Sequence, residues 1–181
     1  MKLIEFDGIE FKVADEALLV RPIRELFEKD KTKKKELFWK QMSYLWFMCD
    51  PRSTYQYLVD EDKRSREIIE QEGLGKDWKP SADLREAMDI YKRNTITTAS
   101  LLLEDMRRAV EGLRSILRAF ENVSIDDIKI ASQIASSMSA TIAKIPELMK
   151  NMSDAEKALA KDFATEDTAR GNATKAVGED V

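Results

Sequence analysis

Histidine is absent from this 181-residue chain and cysteine occurs once, as Cys49. The usual general bases, zinc sites and nucleophile pairs therefore lack the residues they are built from. A single cysteine in an apolar run also excludes an internal disulfide and suits a buried thiol in a reducing cytoplasm. Glycine (6) and proline (4) are scarce, which argues against a turn-rich β sandwich. No sign of charge dominates, since 34 acidic and 30 basic residues are mixed along the chain for a net charge of -4. A global positive field to hold a phosphate backbone is thus missing. Long apolar runs are lacking as well: the longest, residues 37–49, is too short for a bilayer and contains Lys40 and Gln41. The opening MKLIEFDGIEFKV alternates in character and does not form a signal peptide. The expectation is a soluble chain made inside the cell, with no membrane partner and no cofactor.

What is present reads as helix, with 43% apolar and 35% charged residues. One β element stands at the start, where residues 2–6 and 9–13 flank Asp7-Gly8, a pair suited to the positive φ of a type I′ turn. Two strands are marginal alone, so this hairpin must lie on its own helices or add to a neighbouring subunit. Leu3, Ile4, Phe6, Ile9, Phe11 and Val13 are therefore candidate interface residues.

Pro22 opens an expected helix over 23–29. Thr32, with Glu36 downstream, caps a second over 33–48 that is apolar nearly all round: Leu37, Phe38, Trp39, Met42, Tyr44, Leu45, Trp46, Phe47 and Met48. Such a helix belongs at the centre of a core. Asp50-Pro51 ends it, because a residue before proline avoids helical dihedrals. Asp60 caps a third helix over 61–72, anchored by Ile68 and Ile69 and stopped by Gly73. Ser81 is expected to cap the longest element, 82–120, whose apolar positions recur every three or four residues. At 1.5 Å per residue it would be roughly 60 Å long, more than a domain of this size needs for its own core.

Ser124 caps a further expected helix over 125–145, with a small-residue stretch at 131–140 that lets another helix approach closely. Ala131, Ala135 and Met138 are candidate interface residues there, although a hairpin with the preceding helix accounts for the stretch equally well. Pro146 should kink or stop the helix, and Ser153 can cap a last short one ending at Phe163, also a candidate contact. The polar remainder is expected to be flexible or bound to a partner. The predicted layout is mainly α: a β-hairpin (1–13), an elongated helical bundle with one long central helix (14–163), and a polar tail (164–181).

Residues that could carry chemistry have simpler explanations. Glu61-Asp62 and Asp126-Asp127 stand in first helical turns, where the macrodipole favours acids. Gly73-Leu74-Gly75-Lys76 lacks the spacing, the hydroxyl residue and the preceding strand of a phosphate loop. Lys31, Lys33, Lys34 and Lys35 read as a solvated connector, or more narrowly as a basic contact for nucleic acid or an acidic subunit.

Residues 37–117 carry a resemblance. An aromatic helix leads into Trp46-Phe47-Met48-Cys49-Asp50-Pro51-Arg52-Ser53, then Tyr55, the helix Asp60-Glu61-Asp62-Lys63-Arg64, Trp78-Lys79-Pro80 and a long helix with Tyr91. This order resembles small virion proteins of tailed phages, especially crAss-like phages of Bacteroidales. The resemblance implies a non-enzymatic subunit of the head-to-tail connector, forming a homo-oligomeric ring against the portal and neighbouring connector or tail proteins, with DNA contact only incidental. Other expectations are a capsid auxiliary or scaffold-like protein, a nucleic-acid module using the lysines, and, last, a small carboxylate enzyme.

Overall fold

The structure, a computed structural model, describes residues 3–6, 11–120 and 128–169, leaving aside the side chains of 119, 120, 128–131, 134 and 166–169. Among the described residues it is mostly helical: strands β1 (Ile4–Phe6) and β2 (Phe11–Val13) precede helices α1 (Arg21–Lys29), α2 (Glu36–Cys49), α3 (Glu61–Gln71), α4 (Ala82–Thr95), α5 (Thr98–Phe120) and α6 (Ile128–Ala169). The chain forms two compact units, Met1–Ile96 and Thr97–Val181. The span 14–163 expected as one bundle runs across their boundary.

In the first unit the strands pair antiparallel, with Ile4 opposite Val13 and Phe6 opposite Phe11. The expected Asp7-Gly8 turn and Ile9 lie outside the described residues. The ribbon docks on its own helices. Leu3 and Ile4 are fully buried, and the Phe6 and Phe11 rings stack at 4.4 Å and meet Trp46 and Phe47 of α2 at 5.0 to 5.7 Å. Each large side chain buried this way stabilises by about 1.5–3 kcal/mol.

α2 is the core helix, as its all-round apolar pattern requires. Every residue from 41 to 50 is buried, packed against α3, α4, Phe27, Tyr55 and Trp78. It starts at Glu36 and not at residue 33. Asp30 sets the start: its Oδ2 accepts the Phe38 N–H at 2.8 Å and its Oδ1 the Thr32 N–H at 2.8 Å, while Thr32 Oγ1 accepts the Glu36 N–H at 2.8 Å. Burial pushes the Asp30 carboxyl up, but these donors outweigh it and hold it below its ordinary range.

The other end of α2 explains the Asp-Pro-Arg-Ser corner. Asp50 has no exposed surface; its carboxylate takes two bonds from the Arg52 guanidinium (2.8 and 2.7 Å) and one from the Tyr91 hydroxyl of α4 (2.7 Å). Ser53 Oγ donates to the Phe47 carbonyl at 2.8 Å, and Gln56 Nε2 and Arg64 Nη1 donate to that of Met48 at 3.2 and 3.3 Å. The last carbonyls of a buried helix have no intrahelical partners, and these side chains supply them. Gly73, at φ +61°, stops α3 as expected.

The helix expected over 82–120 is two helices. α4 ends at Thr95, and α5 begins behind a reciprocal cap in which Thr97 N–H donates to Ser100 Oγ (2.9 Å) and Ser100 N–H to Thr97 Oγ1 (3.1 Å). Thr95-Ile96-Thr97-Thr98 is β-branched throughout, which weakens helix interiors, and its hydroxyls offer the backbone other partners. In the second unit Pro146 lies within α6, and Ser153 is an exposed mid-helix residue and not a cap. One proline removes one backbone donor, and the apolar stripe through Ile145, Leu148 and Met152 continues past it. α6 also continues to Ala169, so the first six residues of the expected tail are helical. The rest of that tail and the expected cap Ser124 lie outside the described residues.

Candidate association surface

α5 and α6 make the second unit. The first half of α5 (Ala99, Leu103, Met106) packs on the last third of α6 (Ala155, Leu159, Phe163), so the two helices run antiparallel. Their half-buried and buried apolar positions follow a coiled-coil rhythm: Ala99, Leu103, Met106, Val110, Leu113 and Leu117 on α5, and Met138, Ile145, Leu148, Met152, Ala155 and Leu159 on α6, with Thr141 completing the second series. Alternating steps of three and four are the signature of one helix seated along another. Arg107 of α5 and Glu156 of α6 pair beside this seam at 3.9 Å.

This seam does not use all the apolar surface. Leu102, Ala109 and Ile116 form an exposed row on α5 at intervals of seven, and Ala135, Ile142 and Met149 form another on α6. Leu102 and Ile116 are 47% and 48% exposed, Ile142 and Met149 50% and 55%. Residues 131–143 carry no charge at all, unusual for a helix so exposed at Ala135, Ser136, Ser137, Ser139 and Ala140. Rows at a seven-residue interval outside a pair's own seam have the spacing of a helix-contacting stripe.

The candidate residues named from sequence are spread over different settings. Leu3, Ile4, Phe6, Phe11 and Val13 belong to the core of the first unit; Phe163 is buried between α5 and α6, and Met138 is half-buried further along α6. Ala135 is exposed in the α6 row, and Ala131 lies in α6. Of the lysines, Lys31 Nζ donates to the Glu28 carbonyl (2.8 Å), and Lys35 Nζ to those of Phe27 (2.9 Å) and Asp30 (2.6 Å) while lying 4.6 Å from the centre of the Phe27 ring. These two close the end of α1, where cations suit the dipole. Lys33 and Lys34 are exposed.

Sequence reading missed Leu102, Ala109 and Ile116 as surface, because they merge with Met106 and Leu113 into one broad stripe. Counting strictly by heptads from Ala99 separates the two sets.

The first unit also has an open cleft of about 510 Å³ lined by Arg66, Ile69, Glu70, Gly73, Gly75 and Lys76. It takes in the Gly-Leu-Gly-Lys turn, which sits at the C-terminal end of α3, where the helix dipole opposes an anion. Cys49 is buried, and desolvation pushes its thiol up to about 12, away from nucleophilic chemistry. Among the described residues no group of three or more Cys, Asp or Glu is placed to hold a metal ion, and no helix is long and apolar enough to cross a membrane. No protein-family model, curated protein or solved structure matches the chain.

Proposed function

We propose that this chain is a non-enzymatic structural subunit that acts by associating with copies of itself and with neighbours in a larger particle. The observation that carries this reading is the pair of exposed apolar rows on α5 and α6. Apolar residues scattered singly over a surface need no explanation, whereas rows that recur at one interval along a helix mark contact sites. Together with the resemblance carried by residues 37–117, the particle is a tailed phage virion and the role that of a head-to-tail connector subunit, ringed beneath the portal. A capsid-bound auxiliary or scaffold-like role would use the same surface.

Mass measurement by light scattering, with electron microscopy of the protein alone and mixed with the portal of the same particle, tests the proposal. Oligomers of defined symmetry that engage the portal are expected. A monomer indifferent to the portal overturns it. A second reading rests on Lys33, Lys34 and Trp39, all exposed, Trp39 at 41%. That reading is nucleic-acid contact, and it requires duplex binding whose logarithm falls steeply and linearly with the logarithm of salt concentration.

A further inference from the structure

We draw no further inference here: the strongest candidate, the surface patch formed by the exposed apolar rows of α5 (Leu102, Ala109, Ile116) and α6 (Ala135, Ile142, Met149), carries nothing beyond the reading above, because nothing in the structure shows what covers either row.

Discussion

The two units of this protein solve the burial problem differently. The first buries α2 from Gln41 onward among two strands and three helices, and gives the helix's last carbonyls dedicated partners from Ser53, Gln56 and Arg64. The second has two helices and one seam, and among its described residues only Leu103, Ala155, Leu159, Phe163 and Ser100 are buried. A helix pair with one seam keeps most of its circumference in water, so its stability rests on that seam. One region encloses its core, and the other leaves apolar residues of both helices exposed.

That contrast can be measured directly, because all three tryptophans, Trp39, Trp46 and Trp78, lie in the first unit. Tryptophan fluorescence therefore follows the first unit alone, while far-ultraviolet circular dichroism follows the helices of both. Deleting residues 1–13 should have the largest effect: loss of buried Leu3 and Ile4 alone is expected to cost about 3–6 kcal/mol in the fluorescence transition, and loss of the Phe6–Phe11 stack adds to it. A shift under about 1 kcal/mol would show the ribbon to be dispensable for folding and return it to the candidate interfaces.

Asp50→Ala comes next, at about 3–5 kcal/mol, since it leaves the Arg52 guanidinium and the Tyr91 hydroxyl without their shared partner. It too should move the fluorescence transition. Leu159→Ala should cost about 2–4 kcal/mol, yet appear in circular dichroism and leave the fluorescence midpoint in place. Coincident shifts in both signals would mean that the units fold as one and would erase the contrast.

Acid gives a smaller, graded effect on the first unit. Backbone N–H groups of Lys63 and Asp62 at the start of α3 lower the Asp60 carboxyl, and Asp30 is held low by Phe38 and Thr32. A carboxylate depressed in the folded state contributes stability that is complete above its unfolded value, about 3.9, and is lost as pH falls through the folded one. The fluorescence midpoint in denaturant should hold steady at neutral pH and decline progressively below about pH 4. A midpoint that rises on acidification would contradict this. The smallest stability effect, under about 0.5 kcal/mol, is expected for Ile116→Glu, because the side chain is already half in water. Its helicity should be retained and its oligomer dissociated; an unaffected oligomer would take the α5 row out of the interface.

Much of the fold was legible in residue order. The all-apolar α2 announced a core helix, Asp60, Ser81 and Gly73 marked their helix ends, and Pro22 opened α1. Misreadings came where local signals compete. Thr97 and Ser100 formed a cap inside a continuous apolar period, and Pro146 was carried by a helix long enough to absorb one missing donor. The candidate association surface was legible least, because a stripe wide enough for two contacts looks the same as one broad contact until the seam's own partner is known.

Sequence by itself determined the helical class, the absence of histidine chemistry and the central place of α2, since composition and periodicity act locally and need no partner to be read. Only the tertiary structure decided that the chain divides at Ile96, that Lys31 and Lys35 close α1, that Asp50 is the hub of a buried network, and which apolar residues of α5 and α6 remain outside their seam. Each of these depends on which distant residue arrives at a given surface, and spacing along one helix carries no record of that arrival.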